Sequence, residues 1–248
     1  CAKKVQLVVT YSEQRAREIE EDYKLFCSQV YVIPPRDLIF FSADLQGNAI
    51  IAERMKAFAA LYQNEAKVII TTMDALMSAA VPFEQLMSHV IKLKEGDELD
   101  LEKLKHDLTV MGYERVGRVE EPGQFTVHGG IADVYPLTME VPVRIELWGD
   151  EIDTIRCFEP QSQRSMDQIE SVSVFPAAEV IADDTARRRA VGMIKNELES
   201  QLAVFKKAKE PDKAKRLREE TNRILEALGE DVVLEAPDSY ISFFESFP

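Results

Sequence analysis

Cysteine is scarce in this chain. Cys1, Cys27 and Cys157 are the only three in 248 residues, they are widely spaced, and they form no CxxC pair. That spacing excludes a zinc ribbon and a disulfide framework, and it reads as reduced cytosolic thiols. Histidine is equally sparse. His89, His106 and His128 are not spaced as a metal pair on one helix face, and no HExxH occurs, so no metal site is expected. The ten glycines include no Gly-Lys pair, which removes the GxxxxGK[ST] cradle whose amides and lysine would hold nucleotide phosphates. No serine sits in a GxSxG elbow. No apolar run approaches the ~18 residues that span a bilayer. The start, Cys1-Ala2-Lys3-Lys4-Val5, runs straight into a strand-like segment rather than a signal peptide. No catalytic constellation is left, and no membrane partner is expected.

Positive charge is also in short supply. Lys and Arg number 30 against 44 Asp and Glu, a net charge of −14. Duplex DNA repels such a chain at long range, so sequence-independent DNA binding by this chain alone is not expected. Apolar residues make up 46% and charged residues 30%, the balance of a soluble globular chain. The length favours two domains. A start on Cys1 rather than Met is what a piece of a longer chain would have.

Strands alternating with helices open the sequence. Val5–Thr10 is a short β-branched run, and Ser12 is placed to cap a helix whose apolar face is Ala16, Ile19, Tyr23 and Phe26. Val30–Ile33 is a second strand, stopped by Pro34-Pro35. Residues 49–63 form a helix through Ile51, Met55, Phe58 and Leu61; Val68–Thr72 is a third strand, followed by a short helix over Met73–Ala80. This order predicts a parallel sheet of βαβ units. Near residue 90 the character changes. A strand at Val90–Leu93 precedes an amphipathic helix over Leu101–Met111, with Gly112 as its C′ residue. Asp97-Glu98-Leu99-Asp100 resembles a DExD box in letters only; at a helix start, acidic residues suit the dipole. Strands then follow one another at 114–119, 124–127, 131–135, 143–148 and 151–156, with turns at Pro122-Gly123, Gly129-Gly130 and Gly149-Asp150. Residues 185–209 and 212–228 read as two charged helices broken at Glu210-Pro211. Their basic stretches alternate with Glu and Asp and read as solvated faces. A tail over 231–247 has a strand-like Val232-Val233-Leu234 and an apolar Tyr240–Phe244.

One stretch is specific. Gln124-Phe125-Thr126-Val127-His128-Gly129-Gly130-Ile131-Ala132-Asp133-Val134-Tyr135-Pro136 leads into Val143-Arg144-Ile145-Glu146-Leu147-Trp148-Gly149-Asp150-Glu151-Ile152-Asp153-Thr154-Ile155-Arg156-Cys157-Phe158, and Ser162-Gln163-Arg164-Ser165 follows. This ordered pattern resembles the UvrB-like region of bacterial transcription-repair coupling factors, and more loosely the excision-repair helicase UvrB. Gly112-Tyr113-Glu114-Arg115-Val116 and Pro122-Gly123-Gln124-Phe125 agree with the same family, as does Val68–Leu76. The resemblance covers most of residues 5–181; in the helical hairpin only length and position match.

The resemblance implies an α/β chain: a degenerate RecA-like parallel sheet with an inserted antiparallel α+β domain and a helical hairpin domain. The expected boundaries are 1–90 for the first part of the RecA-like remnant, 91–177 for the inserted UvrA-binding domain, and 178–248 for a helical domain returning to the first. It implies a non-catalytic module that binds UvrA and recruits nucleotide excision repair to RNA polymerase stalled at DNA damage. ATP, Mg, DNA and polymerase would belong to other domains of a longer cytoplasmic translocase. The alternative is a fragment of a UvrB-type helicase that binds ATP and damaged DNA. Arg144 and Trp148 match the family's UvrA-binding positions and, four apart on a strand, point the same way. His128 stands where the family usually has Arg, which keeps a hydrogen-bond donor but not a permanent charge. Arg115, Arg118, Arg156 and Arg164 read as surface or structural residues. A forked guanidinium and a rigid aromatic on one sheet face suit a protein contact.

Overall fold

The computed structural model describes residues 4–35, 45–78, 81–181, 184–208 and 210–229. The chain divides into two compact units, Cys1–Glu179 and Val180–Pro248.

The first unit opens with β1 (Gln6–Thr10), α1 (Glu13–Lys24), β2 (Val30–Ile33), α2 (Leu45–Tyr62), β3 (Val68–Thr72), α3 (Met73–Met77) and α4 (Phe83–Met87). The three strands form a parallel sheet in the order β1-β3-β2. All five residues of β3 are buried, because a helix lies on each face. Alternation sends Val68 and Ile70 into a cluster with Ala16, Ile19 and Tyr23 of α1, and Ile69 into one with Ala57, Ala60 and Leu61 of α2. Ser12 caps α1 as expected, its Oγ accepting from the Arg15 amide at 3.2 Å. Phe26 departs from the expected apolar face. The helix stops at Lys24, so Phe26 lies past its end and is 90% exposed. The second helix begins earlier than the spacing indicates, at Leu45, and α4 was not anticipated.

Antiparallel structure follows: β4 (Ile91–Lys94), α5 (Leu101–Val110), β5 (Glu114–Arg115), β6 (Gln124–His128), β7 (Ile131–Val134), β8 (Val143–Trp148), β9 (Glu151–Phe158), β10 (Ser165–Gln168) and β11 (Ser171–Val174). A six-stranded sheet runs β10-β9-β8-β7-β6-β5, and β4 pairs with β11 in a separate ribbon. Its inner face packs Phe125, Val127, Ala132, Val134, Val143, Ile145, Ile152 and Ile155 against Leu104, Leu108 and Met111 of the α5 region and Leu93, Val172 and Val174 of the ribbon. One expectation needs correction. The strand read over 114–119 is only two residues long and pairs parallel to β6. After Val116 donates to the Phe125 carbonyl the chain turns away, and Val119 buries itself beside Tyr135 and Phe158 instead. The exposed β10 lacks any apolar alternation, so only its pairing with β9 makes it a strand.

α5 begins and ends on specific chemistry. The Asp100 carboxylate accepts from the Glu102 and Lys103 amides at 2.9 and 3.2 Å, the cap reading made from sequence. At the other end Gly112 takes φ +88, and the Gly112 and Tyr113 amides donate to Thr109 and Leu108 carbonyls. That is a Schellman ending.

The second unit contains α6 (Asp184–Ala208) and α7 (Pro211–Gly229), packed against each other as a hairpin. Pro211 opens α7, where its missing N–H costs nothing. The tail over 231–247 lies outside the described residues. No described helix is long and apolar enough to cross a membrane.

Candidate docking face

The outward face of β6–β9 is set by register. Thr126, Asp133, Arg144 and Arg156 lie opposite one another across four strands. The next row is His128, Ile131, Glu146 and Thr154, and beyond it Trp148 pairs with Glu151. Between Glu146 and Leu147 the β8–β9 register shifts. The extra residue is Asp153 on β9, so β8 keeps its alternation and Trp148 stays on the face of Arg144.

Arg144 does not project freely. Its Nε and Nη2 donate to the two Asp133 oxygens at 2.7 Å each, and Nη2 also reaches Gln163 Oε1 at 3.3 Å. The guanidinium lies 4.7 Å from the centroid of the Phe158 ring. Its side chain is 20% exposed. The hydrogen bond to Asp133 holds its pKa above the ordinary arginine value, against the opposing effect of burial. The acid it meets is thus Asp133 on the neighbouring strand. Gln163 sits at φ +60, its amide donating to the Val119 and Pro160 carbonyls at 3.1 and 2.7 Å. This strained turn holds the 159–164 loop against Arg144.

Trp148 is different. It is 84% exposed and ends β8 with nothing packed over it among the described residues. Ile131, at the tip of the β6–β7 hairpin, is 41% exposed, and His128 opposite it is exposed too. Sequence reasoning picked out Arg144, Trp148 and His128 and missed Asp133, Phe158, Gln163 and Ile131. All four were in the quoted pattern, but the register that brings Asp133 to Arg144 depends on the length of the loop between β7 and β8.

Other chemistry is sparse among the described residues. Among the described residues no three His, Cys, Asp or Glu gather to hold a metal ion. Burial pushes the Cys157 thiol up, which keeps it protonated and a poor nucleophile.

Residues 91–179 match the family model of the UvrB interaction domain. The chain is 32% identical over 228 residues, 91% of its length, to the transcription-repair-coupling factor of Staphylococcus haemolyticus (strain JCSC1435), and covers 19% of that protein. Against the transcription-repair-coupling factor of Bacillus subtilis (strain 168) the identity is 30% over 244 residues, 97% of this chain and 20% of the relative. Against that of Staphylococcus epidermidis (strain ATCC 12228 / FDA PCI 1200) it is 34% over 183 residues, covering 73% of this chain and 16% of the relative. The chain therefore spans about a fifth of the length of the first two relatives. It is homologous to the transcription-repair-coupling factors over most of its length, and within that length residues 91–179 are similar to the UvrB interaction domain.

Proposed function

We propose that this chain is a docking module of a longer transcription-repair coupling factor, and that the outward face of β6–β9 binds UvrA. Bound there, UvrA would bring nucleotide excision repair to RNA polymerase stalled at DNA damage. In this reading the chain has no catalysis of its own. ATP, Mg, DNA and polymerase are handled by other parts of the longer cytoplasmic protein.

The observation that carries the reading is Trp148, the single tryptophan, 84% exposed on a sheet whose other face is a well-packed core. A large rigid aromatic supplies contact area at little entropic cost, and such residues dominate binding energy at protein interfaces. Ile131 extends the apolar contact, while His128 and the Nη1 side of Arg144 offer donors at its edge.

Calorimetry with UvrA tests it. Trp148→Ala is expected to weaken binding by roughly 2–4 kcal/mol while leaving the melting temperature unchanged, since the side chain is exposed. Arg144→Ala is expected to cost roughly 1–4 kcal/mol of affinity, but it also leaves Asp133 buried without its cation and lowers stability. Unchanged affinity in Trp148→Ala would rule out this face.

A further inference from the structure

The charges on the outward face do not balance one to one. Asp133 spends both carboxylate oxygens on Arg144. Arg156 lies directly across the β8–β9 ladder from Arg144, so two guanidinium groups sit side by side in the row of Asp133, whose carboxylate is already taken. Like charges directly opposite each other on a sheet destabilise it. The Arg156 Nε is shielded from solvent and has no hydrogen-bond partner. On its other side, β10 places Gln168 opposite Arg156, but the Gln168 amide donates to Glu95 at 2.8 Å. Glu146, the nearest acid along β8, is one row away and accepts from Thr154 at 3.3 Å. No ion pair of Arg156 is present among the described residues.

A buried N–H without an acceptor is rare in folded proteins and asks for an explanation. We propose that Arg156 is an anion receptor within the docking face, reserved for an Asp or Glu side chain of the bound partner. The proposal rests on the UvrA reading above and deepens it. Arg156 and Arg144 are cross-strand neighbours, and Trp148 lies four residues further along β8, about 13 Å away at the rise of a strand. A contact of ordinary size covers both. The apolar anchor supplies area, and the guanidinium supplies the charged group that rejects partners lacking an acid at that position. A carboxylate is favoured over nucleic-acid phosphate because the net charge of −14 repels a polyanion before contact.

The test is calorimetry of the whole 248-residue chain with UvrA at low and at high salt, comparing Arg156→Gln, Arg156→Lys and Trp148→Ala with the unaltered chain. Arg156→Gln is expected to weaken binding about tenfold or more at low salt and less at high salt. Its melting temperature stays level or rises as the Arg–Arg repulsion is relieved, and Arg156→Lys recovers part of the affinity. Full affinity in Arg156→Gln with weakened binding in Trp148→Ala removes Arg156 from the interface and leaves the docking reading standing. No binding by the unaltered chain removes both. A salt-independent loss that tracks a lowered melting temperature assigns Arg156 to the fold and overturns the proposal. A mobility shift on duplex DNA that Arg156→Gln abolishes, with UvrA affinity intact, makes the ligand a phosphate and overturns it as well.

Discussion

Arg144 and Trp148 share a strand face but do different work. The arginine is fixed by Asp133, Gln163 and the Phe158 ring, so it holds β7, β8 and the 159–164 loop in one arrangement. The tryptophan holds nothing and is left outside. The family resemblance picked out both, and their spacing added that they share a face, because alternation along a strand is local geometry. Their difference was not, because it depends on which residues a neighbouring strand brings across. Gly112 is the opposite case, a residue whose role was readable at once. Its φ of +88 suits glycine, and a Cβ there would meet the Ala178 Cβ at 2.7 Å. Gly112→Ala should therefore lower stability by about 1–3 kcal/mol, read as a shifted midpoint in urea unfolding with the slope unchanged.

Caps made α5 the most readable element of the chain. Asp100 and Gly112 mark its ends, and Leu104 and Leu108 mark its buried face. Asp100→Ala should cost about 1 kcal/mol and Asp100→Ser much less, measured by thermal melts of the two variants. Strands with an apolar alternation, β6 to β9, were equally visible. The polar strand β10 and the two-residue β5 were not, because their pairing is imposed by β9 and β6 rather than by any pattern of their own. α1 shows the limit from the other side. Its helical spacing runs on to Phe26, but the helix stops at Lys24 and the ring is left in solvent.

Across the first unit, the parallel sheet and the UvrB interaction domain are tied by ion pairs of unlike character. Arg54 and Glu179 are both buried, and Arg54 also donates to the Pro34 carbonyl and lies over Phe58. Lys56 and Glu140 meet at 2.7 Å near the surface. The hydrogen bond from Lys56 holds the Glu140 carboxyl below its usual value. A carboxylate with a depressed folded pKa contributes stability that is present above its unfolded pKa and lost as the pH falls through the folded one. Melting curves of the chain and of Lys56→Met should thus differ by a small constant amount at neutral pH and converge below about pH 4. A gap that persists in acid would mean that Lys56 acts through packing instead.

The sequence by itself determined what depends on near neighbours: the helix caps, the inward and outward sides of each strand, the missing phosphate cradle, and the ordered pattern from Gln124 to Ser165. Only the tertiary structure decided how the outward charges are shared. Whether a guanidinium is satisfied, stacked or left over depends on strand register and loop length, which bring residues from distant parts of the chain to one spot. That is why Asp133 goes to Arg144, why Arg156 is left without an acceptor on its Nε, and why Trp148 stays in water.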